Sequence, residues 1–188
     1  MKPIIISYKK EHSFRERMLL WLLGQVVPVH AKFYQRRQPW RLQRGDMLQY
    51  PAASLGHELG LFLKRESLQP VDRIERHDAF HILLGFSTHM NDEAAMQFFL
   101  IGNGKISPFT LGTAIFTLIT MPDKWNYFYQ QYKRGQSVRS IAKWNFLELL
   151  DEKFEEVKEV IFSGKADNPV LMQKIETFER MNKAYAVI

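Results

Sequence analysis

Ser107-Pro108 and Asn168-Pro169 each set a capping side chain directly before a proline, and Pro122-Asp123 opens a third segment in similar fashion. Proline in the first turn of a helix costs no hydrogen bond, because that N–H has no partner within the helix, and its fixed φ already suits one. Gly85 and Gly135 stand where such segments would stop, since glycine takes up the left-handed conformation that ends a helix. Between these marks, apolar residues recur at helical spacing, as in Leu55, Leu59, Phe62 and Leu63. The spacing predicts helices over 53–66, 72–84, about 88–100 with Thr88 as cap, from 108, over 122–135 and from 169 to about 185. It also predicts one broken or two short helices over 145–150 and 151–162. Gly102 and Gly104 read as a turn. Alternating strand patterns are nearly absent, with Ile4 to Ile6 the single candidate. The expected fold class is all-α, a single-domain multi-helix bundle.

A chain of 188 residues is long enough for one domain with its own core. It has no cysteine, which excludes disulfides, thiolate metal sites and cysteine nucleophiles. The net charge of +6 is local: Lys32, Arg36, Arg37, Arg41 and Arg44 follow one another without an intervening acid, whereas Glu148 to Glu159 is acidic. Residues 1–47 therefore read as a basic, amphipathic segment facing a membrane, and 48–188 as the helical domain. Trp21 among Leu19, Leu20, Leu22 and Leu23, with basic flanks, suits a membrane interface or equally a helix docked on the core. Nucleic acid is not expected as a partner, because no binding motif accompanies the basic residues. No stretch reaches the roughly 20 apolar residues of a spanning helix, and the first residues lack a signal-peptide pattern. The expected place is the cytoplasm, peripheral at the inner face of the membrane.

His77, Asp78 and His81 fall in a predicted helix. At 100° per residue, His81 lies about 40° around from His77, and Asp78 about 60° beyond it, so all three share a stripe. Imidazoles four residues apart can reach one ion. Glu93 follows twelve residues after His81. It would be roughly 18 Å away on a continuous helix, but the turn Gly85-Phe86-Ser87-Thr88 can reverse the chain and bring it to the histidines. Two histidines and a carboxylate with open positions suit a catalytic divalent metal. Asp78 is then a fourth ligand, an acceptor that fixes an imidazole tautomer, or a catalytic acid–base group. The alternative is a histidine pair without chemistry. His12, His30, His57 and His89 have no partner at useful spacing.

These residues resemble the signature of the ubiquinone (coenzyme Q) biosynthesis protein four family, called Coq-four here: His-Asp-x-x-His, eleven residues, then Glu. It reads here as His77-Asp78-Ala79-Phe80-His81, eleven residues, Glu93. Gly85, Thr88 and Phe99 stand at the family's spacing, and Pro51-Ala-Ala-Ser-Leu-Gly56 is similar to its Pro-x-Gly-Ser/Thr-Leu-Gly. The resemblance covers about residues 50–161. The chain departs from the pattern at Asp92 and Ala53, where the family usually has glycine.

The resemblance implies an all-α protein holding one divalent metal ion on His77, His81 and Glu93, with Asp78 supporting or joining them. The ion is zinc in the family's motif; iron, cobalt, manganese and magnesium remain open. It implies an enzyme, a decarboxylase/hydroxylase, that removes the carboxylate at ring carbon one of a prenylated hydroxybenzoate-derived precursor and installs a hydroxyl. The implied partners are a prenylated aromatic acid or polyprenyl lipid and other quinone-biosynthesis proteins, and a homo-oligomer is expected. Candidates to line a groove for the prenyl tail are Phe98, Phe99, Phe109, Ile115 and Phe116, with Leu111 and Ile119; the alternative for each is plain core packing. Residues 106–121 carry no charge and are apolar nearly all round, so the helix there must be buried or lipid-facing. Two other functions compete. One is a non-catalytic prenyl-lipid-binding scaffold that organises quinone-pathway enzymes. The other is a metal-dependent phosphohydrolase, for which His57 and Asp123 would have to complete the site.

Overall fold

The computed structural model describes residues 39–184, and the expectations for Ile4–Ile6, the 14–27 apolar run and most of the basic segment fall outside them. The described chain is all-α: α1 (Arg44–Met47), α2 (Leu55–Arg65), α3 (Glu75–Leu84), α4 (Met90–Gly102), α5 (Pro108–Thr120), α6 (Trp125–Gln136), α7 (Phe154–Ser163) and α8 (Pro169–Ala184). Short 3₁₀ turns at Pro122–Lys124 and Phe146–Leu149 precede α6 and α7. No strand occurs among the described residues.

The proline starts hold. Ser107 Oγ accepts from the Thr110 N–H at 3.1 Å, and Asn168 Oδ1 accepts from the N–H groups of Val170 and Leu171 at 3.1 Å. These are donors that a helix leaves unpaired in its first turn. Ser54 caps α2 by accepting from the His57 N–H. The next donors, Leu55 N–H and Gly56 N–H, reach the carbonyls of Glu152 and Leu150 at 2.8 Å each. The loop before α7 thus finishes the start of α2.

Several boundaries differ from the sequence reading, each for a local reason. Helix α3 begins at Glu75 rather than residue 72, because Arg73 sits at φ 71°, in the left-handed region where a helix cannot propagate. Helix α4 begins after His89, since the Thr88 hydroxyl is taken by the Glu66 carboxylate at 3.0 Å. Helix α6 ends one residue past Gly135, and Gly102 closes α4 just before the Asn103-Gly104 turn, but both glycines also have a second role. Both stand in the last turns of their helices, where α4 and α6 meet. A Cβ on Gly135 would meet the Phe99 carbonyl oxygen at 2.1 Å, and one on Gly102 the Tyr132 carbonyl oxygen at 2.1 Å.

Helix α4 is the central element, buried from Ala94 to Leu100 and packed against α6 and α5; α3 instead leans on α2 and α7. The core is aromatic, with Phe80, Phe99, Phe128, Trp144 and Phe146 enclosed. Of residues 39–47, Met47 is fully buried in it, and Trp40 and Leu42 pack on its edge. The Trp40 N–H donates to the buried Glu75 carboxylate at 2.9 Å, fastening this stretch to the first turn of α3. Arg44, read as part of the basic surface, spends its guanidinium on the Leu68 carbonyl at 3.0 Å.

Candidate metal centre

The left-handed Gly85 (φ 74°) ends α3 and turns the chain so that the first turn of α4 comes back to the histidines. His77 Nε2 lies 3.2 Å from Glu93 Oε2, His81 Nε2 lies 3.1 Å from Glu93 Oε1, and the two Nε2 atoms are 3.2 Å apart. Two ring nitrogens and both oxygens of one carboxylate thus converge on one point. His81 is enclosed, with Phe62 stacked on its ring at 5.6 Å.

The tautomer of His81 follows from its other nitrogen. Nδ1 is 3.1 Å from the Phe86 carbonyl. A carbonyl only accepts, so Nδ1 carries the proton, and in the neutral ring the Nε2 lone pair faces Glu93 and His77. Such a convergence requires a proton or a cation between the groups. The two imidazoles and one carboxylate are a donor set that fits a divalent ion. Among the described residues, these three form the group of potential ligands whose atoms all lie within 4.8 Å of one another.

The charges reinforce each other. Burial alone would raise the Glu93 carboxyl, but the His77 charge and hydrogen bonds from both histidines outweigh it and hold Glu93 well below the usual carboxylate range. Burial alone would lower His81, but its hydrogen bond to Glu93 and the charge there raise it. Asp78 behaves oppositely: burial pushes it up to about 6, against the pull of His77 and His81.

Asp78 stands beside the cluster rather than in it. The acceptor that fixes the His81 tautomer is the Phe86 carbonyl, not Asp78. His57 and Asp123 do not join the group.

Asp92 has a use the sequence did not disclose. Its Oδ2 accepts from the Ser87 hydroxyl at 2.6 Å and the Ser87 N–H at 3.1 Å, and its Oδ1 accepts from the Tyr127 hydroxyl at 2.8 Å. These bonds outweigh its burial and lower its pKa. Ser87 and Asp92 are five residues apart, a weak signal, and no sequence pattern points to Tyr127 or to the Phe86 carbonyl.

The expected lipid residues separate. Phe98 is stacked on Phe128 at 4.8 Å and Phe99 is fully buried against Phe86, so neither lines an open groove. Both lie on the central helix, which its neighbours enclose. Phe116 packs on the core edge. Ile115 and Ile119 are 60% and 74% exposed, and Leu111 is exposed beside them. The Phe109 side chain is outside the described ones. A cavity of about 370 Å³ opens instead beside His81, lined by the apolar Phe62, Ile82 and Phe154 and by the charged Glu58, Arg65 and Lys158.

No family model matches the sequence, and no curated protein matches it. Among solved structures, the chain is similar to a crystal structure from Nostoc punctiforme PCC 73102 whose protein carries the provisional name ubiquinone biosynthesis protein. The two are 20% identical over 81% of this chain and 83% of that one, with a TM-score of 0.52. At that identity the likeness shows a shared fold.

Proposed function

We propose that this chain is a metal-dependent enzyme of the Coq-four family, acting in quinone synthesis on a prenylated hydroxybenzoate-derived acid. The observation that carries the reading is the convergence of His77, His81 and Glu93 at 3.1–3.2 Å, built from the residues of the family's signature. The shared fold with a protein named for ubiquinone biosynthesis supports it.

In this reading His77, His81 and Glu93 hold one divalent ion, zinc or another of its size. When bound, that ion supplies Lewis acidity toward a carboxylate or phenolic oxygen. The residues of the chain do the rest. The Phe86 carbonyl keeps the His81 Nε2 lone pair aimed at the site. Asp78, next to His77 in the chain and beside the ligand group, is the acid–base candidate. The cavity beside His81 offers an apolar wall to a ring and the cations Arg65 and Lys158 to an acid. The net change would replace the ring carboxylate, lost as carbon dioxide, with a hydroxyl; this is a two-electron oxidation, so a separate oxidising co-substrate such as molecular oxygen would have to enter with the acid.

A second reading has its own observation. The exposed apolar face of α5 suits a non-catalytic scaffold that binds prenyl lipid and recruits quinone-pathway proteins. Purified protein should carry close to one divalent ion per chain by elemental analysis. His77→Ala, His81→Ala and Glu93→Ala should each lower occupancy while the helical signal stays. Asp78→Asn should keep metal and lose conversion of a prenylated hydroxybenzoate by roughly 10²–10⁴-fold. Full metal in all three alanine variants would overturn the site. A wild-type protein with metal and lipid but no conversion would favour the scaffold.

A further inference from the structure

Helix α6 contributes none of the three converging residues, yet it fastens both ends of the turn that brings them together. At one end, Tyr127 donates its hydroxyl to Asp92 Oδ1 at 2.8 Å. At the other, Arg134 donates to the Leu84 carbonyl at 2.9 Å and sits over the Phe86 ring at 5.6 Å. Phe86, whose carbonyl fixes the His81 tautomer, lies between these anchors, and Glu93 follows Asp92 directly. The N-cap residue of α4, His89, makes no capping bond with its side chain. Asp92 compensates from within the first turn by binding back to the Ser87 N–H and hydroxyl.

We propose that Asp92 and Tyr127 are positioning residues of the metal centre: through Ser87 they hold the first turn of α4, and so the Glu93 carboxylate, against the histidine pair. The inference rests on the metal-site reading. Its physical basis is that groups behind a ligand fix its direction, and their loss typically weakens metal affinity by roughly 10–100-fold. Neither residue touches the ligand atoms, so the effect travels through the backbone joining Asp92 to Glu93.

The test uses cobalt as the probe, because its visible absorption reports ligand geometry as well as occupancy. Tyr127→Phe removes a single hydroxyl and keeps the ring. Cobalt should bind this variant roughly 10–100-fold more weakly than wild type, with an altered band shape, while the metal-free variant keeps its helical signal and nearly its melting temperature. Asp92→Asn should show the same defect, and adding Tyr127→Phe to it should cost little more, because the two act through one bond. Tyr132→Phe, on the same helix but bonded to Gln136, should bind cobalt as wild type does. Tyr127→Phe with wild-type affinity and spectrum would overturn the inference and leave the metal site standing. Wild-type protein that binds no cobalt would overturn both.

Discussion

Asp78 is half-buried beside two imidazoles and two carboxylates, and its pKa of about 6 makes it a destabilising group at neutral pH. Between its ordinary value and about 6, the folded chain binds a proton that the unfolded chain has released, so stability falls as pH rises through that window. His81, raised by Glu93, works in the same direction: the stability it contributes below its unfolded value is lost as pH rises through its folded one. The metal-free protein should therefore weaken to urea on going from pH 5 to 8. Asp78→Asn should be more stable than wild type above pH 6, by on the order of 1–3 kcal/mol, and should lose the part of the slope that lies below it. Superimposable pH profiles for the two proteins would refute this account of Asp78. Saturating zinc should reverse the trend, because neutral imidazoles bind metal and protonated ones do not. His77, His81 and Glu93 were legible in the sequence because four-residue spacing on a helix and a glycine turn are local rules. The place of Asp78 was not, since the stripe it shares with the histidines does not decide which carboxylate reaches the ligand point.

Between α4 and α6, the contact is backbone against backbone. Gly102 and Gly135 let the two axes approach until a Cβ on either would overlap a carbonyl of the other helix. Gly135→Ala should destabilise the protein by about 3 kcal/mol or more, since neither backbone can yield cheaply. Gly112→Ala in α5, where no atom lies within 4 Å of the added carbon, should instead stabilise it by up to about 1 kcal/mol. Equal urea midpoints for the two variants would contradict the close crossing. The sequence marks these glycines as helix ends, which they are to within a residue; only the partner helix shows that they are also contacts. Ser107, Pro108, Asn168 and Gly85 were legible because caps and left-handed turns are settled within a few residues. The starts of α3 and α4 were not, because Arg73 adopts an uncommon conformation and Thr88 is drawn away by Glu66 from another helix.

Among the described residues, Ile115 and Ile119 are exposed one turn apart on α5, and Ile106, Trp125 and Tyr129 are exposed near them in the chain, as are Lys105 and Lys124 in sequence. No helix among the described residues is long and apolar enough to cross a membrane. The uncharged α5 helix, expected to be buried or lipid-facing, has one buried face with Ala114 and Thr117 and one exposed face with Ile115 and Ile119. We expect binding to anionic vesicles in two separable parts. The part due to the basic segment should fade with salt, since charges are screened beyond about 8 Å at physiological ionic strength. The part due to α5 should persist in salt and fall when Ile115 and Ile119 are changed to serine, by about 1.5–3 kcal/mol per side chain at most. No binding at low salt would mean that the exposed face of α5 meets something other than lipid.

The bond from the Trp40 N–H to the Glu75 carboxylate has a mechanical meaning. The chain reaches its first described anchor two residues before His77, on the same turn of the same helix. A pull exerted on the chain at Trp40 is therefore delivered to the turn of α3 that carries the first imidazole.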